Sequence, residues 1–409
     1  MSAISPLRAI DTHPCEQNGE KFIVITDPSG YVEEQLMLSP VAFVIALSLD
    51  GKRDAADVQA LIQSQYNAEL PLSAIEHVTA YLDKHGFLVS PLFFEKQKIV
   101  EDAYKASPIR PAYIAGRGYP EAPETLRTFI DACFTRKGGP GALPTLGPED
   151  APPQRCLIVP HIDFHRGGHS YAHGYGCMAG KGRPHTVFVF GVAHAAPPAP
   201  FILTKKAFET PLGTLQVNEA MVDALAGVCS WDPFRYESTH RTEHSIEFQA
   251  VMLAYLYGSS VQIVPILCAC LDEHDAGTPP EHLAAVSRFL DRCEELAADP
   301  AHRVTVIAGA DLAHVGKRFG DPFDIDDLVI QEVASRDEED LDHVLRGDAD
   351  GWYASVMKDD NERKVCGLGC IYAALRTAGS PAAPEGLLHY GYAEDPAGGI
   401  VSFASIGLG

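Results

Sequence analysis

Long apolar stretches are missing from this sequence. The longest, Pro40 to Leu49, is about half of the ~20 residues that a membrane-spanning helix needs. The opening stretch, MSAISPLRAIDTHPCEQNGE, lacks the apolar core of a secretory signal. Cysteine is sparse, ten in 409 residues with no C-x-x-C pair, so a disulfide scaffold is excluded and free thiols in a reducing cytoplasm are expected. Basic residues are outnumbered, 32 Lys+Arg against 55 Asp+Glu, for a formal net charge of −23. Such a surface repels phosphate backbones and anionic lipid heads, so neither nucleic acid nor membrane is an expected partner. No Walker A or G-x-G-x-x-G segment occurs, which leaves nucleotide-loop chemistry without a carrier. What remains is an ordinary globular composition, 46% apolar and 21% charged, in a length that allows two domains. Histidine stands out: 17 residues, six of them between 161 and 194.

Residues 1–20 read as an N-terminal tail and 21–92 as a compact module. KFIVITD and YVEEQLML predict two strands around a Pro28-Ser29-Gly30 turn. Ser39-Pro40 opens a short helix, and Asp54 caps a second one running to about Tyr66. Ser73-Ala-Ile-Glu76 matches a capping box before a third, whose Ile75, Val78 and Leu82 share a face. FLVS then returns as a strand, and the order suggests a small winged helix. With "LSPVAFVIALSLDGKRDAADVQALI" and "LDKHGFL", the segment resembles the PqqD-like domains. That resemblance implies a module binding a peptide or partner protein beside a radical-SAM enzyme. DNA is disfavoured, because residues 1–100 carry 7 Lys+Arg and 13 Asp+Glu. Residues 93–106 read as a connecting helix ended by Pro108 and Pro111.

From 107 to 409 strands and helices alternate. LIVP, VFVFG and VIAGA are apolar on both faces, as central strands of an α/β sheet with helices on both faces must be. In such a sheet ligands gather beyond the carboxyl ends of the strands. There the chain places His161 and Asp163 after the first run, His194 after the second, and Asp311 and His314 after the third. His165, His169 and His173 continue at four-residue spacing. Gly167-Gly168 interrupts them, so the helix is expected to start near Gly168, with these histidines as polar residues beside a site or at an interface.

His240-Arg-Thr-Glu243-His244 fits the H-x-x-E-H zinc pattern of inverzincin peptidases, which needs one unbroken helix through all five residues. Thr242 is the better helix start and would leave His240 outside. Glu243 and His244 then sit in the first helical turn, placed to orient a ligand. Cys366-Gly-Leu-Gly-Cys370 is expected to open a helix whose dipole favours a Cys366 thiolate, a metal ligand or nucleophile. Cys268, Cys270 and Cys370 read as core.

In order, "RPAYIAGRGYP" (110–120), "PHIDFHRGG", "FGVAHAA", "TEHSIEFQ", "AGADLAH" and "VCGLG" resemble the Memo family, also called AmmeMemoRadiSam system protein B. The family's fold is similar to the class III extradiol dioxygenases of LigB type, which hold non-haem iron(II). The resemblance implies metal ligands at His161, His194 and Cys366, with Asp311 and His314 on the acid/base side of the site. It departs at Ala195, where the family often has a second histidine, and at Gln249, where the family's EHSIEMH ends in histidine. A Cys in place of the dioxygenases' carboxylate moves metal preference towards copper(I) and zinc, although iron(II) remains the first expectation. The implied function is a metal-dependent redox enzyme acting on a small molecule or peptide, within a system that includes a radical-SAM protein. A metal-binding adaptor without turnover is the alternative, and a zinc peptidase a remote one.

Overall fold

The computed structural model describes residues 3–269, 279–379 and 384–409. It divides into two compact units, Met1–Ser107 and Pro108–Gly409. No helix among the described residues is long and apolar enough to cross a membrane.

The first unit opens with an antiparallel hairpin, β1 (Asp11–Gln17) and β2 (Glu20–Thr26), whose turn is Asn18-Gly19, both left-handed. The sequence pattern predicts only a tail over 1–20. β1 is an almost wholly exposed edge strand with a proline and no apolar alternation, so it carries no strand signal. β3 (Leu36–Leu38) pairs on the other side of β2. The Pro28-Ser29-Gly30 bend belongs to a wider loop held by Asp27, whose carboxylate accepts from the amides of Ser29, Tyr31 and Val32 and pairs with Arg8. Ser39 caps α1 (Pro40–Leu47), and Asp54 forms a capping box on α2 (Ala55–Tyr66). The box expected at Ser73 does not form: α3 (Leu72–Lys84) starts two residues earlier, with Pro71 in the cap position and no side-chain cap. FLVS is not a strand, and Leu88 makes a single bridge to Leu7. The three strands therefore all precede the helices, unlike the winged-helix order expected from the sequence. Ser90 caps α4 (Pro91–Ala106), the last helix of this unit. Ile25, Leu38, Ile45, Val58, Ile75, Leu82 and Phe87 form its core.

The second unit is an α/β fold on a mixed sheet. Its elements run β4 (Ile109–Arg110), α5 (Pro123–Thr135), β5 (Cys156–Val159), α6 (Phe164–Ala179), β6 (Thr186–Val192), β7 (Phe201–Leu203), β8 (Ala207–Thr210) and β9 (Gly213–Val217). Next come α7 (Glu219–Ala226), α8 (Ser245–Tyr257), β10 (Gln262–Cys268), α9 (Ala284–Ala298), β11 (Val304–Gly309) and β12 (His314–Gly316). The last elements are α10 (Asp327–Leu345), α11 (Ala349–Val356), α12 (Leu368–Ala378), β13 (Pro384–Asp395) and β14 (Gly399–Leu408). The strand order is β12-β14-β5-β11-β6-β10-β9-β8-β4, with β13 beside β14 and β7 beside β10. At the centre β5, β11, β6 and β10 are parallel, while β14 joins β5 antiparallel. Every residue of β5, β6 and β11 is buried, so both faces of the centre are covered. α8 lies over β6 and β11, where Gly191 and Gly309 make the close approach possible. A Cβ on Gly191 would stand 2.5 Å from Ile246, and one on Gly309 would stand 2.6 Å from the Ser245 carbonyl.

α6 corrects the expected helix start. Asp163 caps it, accepting from the amides of His165 and Arg166, so the helix begins at Phe164 and runs through both glycines. Gly167 and Gly168 are contact residues rather than breakers. A Cβ on Gly167 would stand 2.4 Å from Ile162, and one on Gly168 2.5 Å from the Cys133 sulfur.

Candidate metal centre

Strand register brings the site together. Val159 of β5 pairs with Gly309 of β11, which pairs with Gly191 of β6. His161 and Asp311 lie two residues beyond that level and His194 three, so adjacent parallel strands deliver all three side chains to one edge.

His161 is 2% exposed and tightly held. Its amide donates to Asp311 Oδ1 (2.9 Å), and its Nδ1 donates to the Gly309 carbonyl (2.8 Å). A carbonyl only accepts, so Nδ1 carries the proton and Nε2 presents its lone pair, 3.3 Å from Cys366 Sγ. Burial pushes this imidazole down to about 3, which keeps it neutral.

His194 is oriented by Glu243. The carboxylate receives His194 Nδ1 at 3.0 Å and the His194 amide at 3.1 Å, together with the amides of His244 (2.8 Å) and Ser245 (3.0 Å). Burial alone would raise the Glu243 carboxyl, but His194, His244 and these amides outweigh it and hold it well below the usual range. For His194 burial acts downward, and Glu243 overrides it and raises the imidazole.

One ring nitrogen each from His161 and His194, together with Cys366 Sγ, supply ligand atoms all within 4.8 Å of one another. Ligand bonds of about 2.0–2.3 Å place tetrahedral donors roughly 3.3–3.7 Å apart, so the arrangement takes one transition-metal ion if the donors close in by up to about 1 Å. His194, Glu243 and His244 form a second such group. The His244 ring stacks nearly parallel on His194, centroids 5.0 Å apart, and lies 5.4 Å from His161. The sequence pattern places His244 behind the ligands; the structure makes it a third imidazole of the cluster.

Cys366 does not open a helix. It lies in a turn, and α12 starts at Leu368 behind Gly367. The Gly367 amide donates to the Asp311 carbonyl, against which a Cβ would stand at 2.5 Å, so glycine is required for this approach. Burial, with Asp311 adding to it, pushes the Cys366 thiol well above its ordinary value. The helix dipole therefore does not supply a thiolate, and a bound cation would have to.

Asp311 and His314 are arranged differently from the sequence expectation. The Asp311 carboxylate serves His161 and Ile162, accepting both amides, and its other oxygen is 3.6 Å from His161 Nε2. His314 Nδ1 donates to the Leu312 carbonyl (3.0 Å), which takes the orienting position expected of Asp311. Burial lowers the His314 imidazole against the opposing pull of Asp311.

Asp163 caps α6 and pairs with Arg166. His165 and His169 line a separate cavity of about 650 Å³ with Glu124, Phe129 and Arg136, and His173 bonds the Gly138 carbonyl. His240 is turned away, its Nε2 on the Ile202 carbonyl. It lies in a short 3-10 turn (Glu237–Arg241) that breaks before α8, so the helix an inverzincin needs is absent. Cys268 and Cys370 are buried core, and Cys270 lies outside the described residues.

One anchoring network escapes sequence reasoning. Arg110 is fully buried, pairs with Glu247 of α8, and donates to the carbonyls of His240 (2.8 Å) and Glu243 (2.7 Å). Glu247 also accepts from Tyr119 (2.5 Å) and the amides of Tyr113 and Ile114. Gln249 donates to the Pro160 carbonyl and accepts from Tyr175. Glu247, a charged residue within the mostly apolar SIEFQAVMLAYLY, is the available signal.

The family model described as Memo-like protein matches residues 110–406. A MEMO1 family protein of Aquifex aeolicus is 26% identical over 395 residues, covering 95% of this chain and 96% of that protein. A MEMO1 family protein of Methanopyrus kandleri is 31% identical over 300 residues, 72% of this chain and 96% of its own length. One from Desulfurococcus amylolyticus is 28% identical over 312 residues, covering 74% and 98%. The chain belongs to the Memo family.

Proposed function

We propose that this chain binds one transition-metal ion through His161, His194 and Cys366 and uses it in redox chemistry on a small molecule or an exposed peptide group. The observation that carries the reading is the convergence of two imidazoles and one thiol, each from a separate strand end or turn. Both imidazoles have their Nδ1 committed to a fixed acceptor, as metal-binding histidines do. Three protein ligands leave positions open for a substrate or an oxidant. The set of two imidazoles and one thiolate takes iron(II), copper(I) and zinc, and iron(II) is the ion proposed. A bound redox metal would supply electron transfer and polarise a substrate. The protein's own part is to orient both imidazoles and to hold neutral bases at the rim. Burial brings His244 down to about 4, so it is free to accept a proton at neutral pH, and His314 stands beside the same cluster.

A cytoplasmic location, which rests on the sparse cysteines, and a radical-SAM protein as working partner, which rests on the resemblance, are parts of this proposal. The test is anaerobic reconstitution with iron(II), copper(I) or zinc, followed by elemental analysis and oxygen-uptake measurement. One ion per chain with oxygen uptake in the iron form supports the redox reading. One ion with no uptake by any form supports the adaptor alternative, and no retained ion overturns both.

A further inference from the structure

Half of the centre is built by two segments, 311–314 and 363–367, that are joined to each other. The His314 amide donates to the Arg363 carbonyl (2.7 Å), and the Gly367 amide to the Asp311 carbonyl (3.0 Å). Behind both stands one carboxylate. Asp337 of α10, 1% exposed, accepts from Arg363 Nη1 (2.5 Å), Ser402 Oγ (2.5 Å) and Tyr390 Oη (2.9 Å). Asp340, one turn along, takes the other terminal nitrogen of Arg363. Ser402 in turn clamps the first segment: its carbonyl accepts from Leu312 (2.8 Å), its hydroxyl from Ala313 (3.0 Å), and its amide donates to Ala313 (3.0 Å). Asp337 therefore reaches the Cys366 segment through Arg363 and the Asp311–His314 segment through Ser402.

The Cys366 segment needs such a hold. Asp360, Asn361 and Lys364 are all left-handed, with φ of 55°, 53° and 53°. Non-glycine residues in that conformation cost on the order of 1 kcal/mol each and persist where surrounding contacts over-determine them. Ordinary core packing does not call for a buried carboxylate here. Burial pushes Asp337 up to about 6 although Ser402, Arg363 and Tyr390 all favour its charge. A charge kept at that cost is best used to specify geometry.

We propose that Asp337 is a positioning residue of the metal centre, placing Cys366 Sγ and Asp311 against His161 through Arg363 and Ser402. The proposal rests on the metal reading above. Asp337 touches none of the proposed ligands, so its effect is on how the thiolate meets the ion.

Cobalt(II) is the probe, because a cobalt–thiolate bond gives its own charge-transfer band beside the ligand-field bands. It is titrated anaerobically into the full chain, wild type, Asp337→Asn and Ser402→Ala, with the unfolding temperature of each metal-free protein recorded. The wild type is expected to show the thiolate band. Asp337→Asn is expected to bind cobalt about tenfold or more weakly, with a smaller thiolate band per bound cobalt. Ser402→Ala, which cuts the second route, is expected to do the same more mildly, and it carries the test alone if Asp337→Asn does not fold. A purely structural role would lower the unfolding temperature and leave the band per bound cobalt unchanged. That result, with a wild-type band present, overturns the positioning role alone. Absence of the band in the wild type overturns the metal reading and the positioning role with it.

Discussion

Glu243→Gln keeps the shape of a buried side chain and removes its charge. Both carboxylate oxygens are in use: Oε1 takes the amides of His244 and Ser245, and Oε2 takes the amide of His194, with His194 Nδ1 within reach of both. A glutamine offers one accepting oxygen. If it keeps the two amides, its NH2 group faces two donors of His194, and the imidazole relieves the clash by moving its proton to Nε2, the nitrogen meant for the metal. A hydrogen bond to a charged group contributes about 1.5–3 kcal/mol. At about 1.4 kcal/mol per decade the metal affinity should fall roughly 10- to 100-fold. The assay is competition against a chelator of known affinity at neutral pH, on protein shown by circular dichroism to be folded. Equal affinity of a folded Glu243→Gln variant would refute the claim that this carboxylate sets the His194 tautomer.

The same geometry carries three further expectations. His314→Ala should keep its metal and lose activity or ligand affinity, because His314 is fixed by the Leu312 carbonyl, whereas His161→Ala should come out empty; elemental analysis of the two side by side decides it. Asp337 should give the wild type a pH-dependent stability. Its folded pKa of about 6 lies above the ordinary 3.8, so the folded state holds the extra proton and stability falls as pH rises from about 4 through about 6. The full loss is about 3 kcal/mol at ~1.4 kcal/mol per unit, and denaturant unfolding of Asp337→Asn across that range should show the slope removed. Gly168→Ala should destabilise despite a helix-propensity gain of about 1 kcal/mol. The new methyl meets the Cys133 sulfur at 2.5 Å, where overpacking costs about 1–3 kcal/mol. Cys133→Ala in the same chain should restore the unfolding temperature.

The sheet is legible in the sequence because its central strands are buried on both faces and read as continuous apolar runs, and the residues just beyond such runs fall at one edge. His161, His194 and Asp311 need no more than that rule. Cys366 is picked out as a ligand or nucleophile by a helix start that the structure does not form, since it sits in a turn with left-handed residues before it, and only the family resemblance groups it with His161 and His194. β1 is hidden by its polarity, and the start of α6 is obscured because a Gly-Gly pair reads as a break. Spacing along the chain does not show that Asp163 caps that helix or that Ile162 and Cys133 occupy the space above its glycines. The partners that join the site together, His161 for Asp311, His194 for Glu243 and Glu243 for Arg110, lie 150, 49 and 133 residues away, separations at which local patterning is silent.

X-ray absorption spectroscopy on the iron(II)-loaded chain and on its Cys366→Ser variant tests the central claim most directly. The wild type is expected to show one sulfur at about 2.3 Å and two imidazole nitrogens, with the sulfur contribution gone in the variant. A wild-type shell of nitrogen and oxygen alone, unchanged by Cys366→Ser, would contradict it.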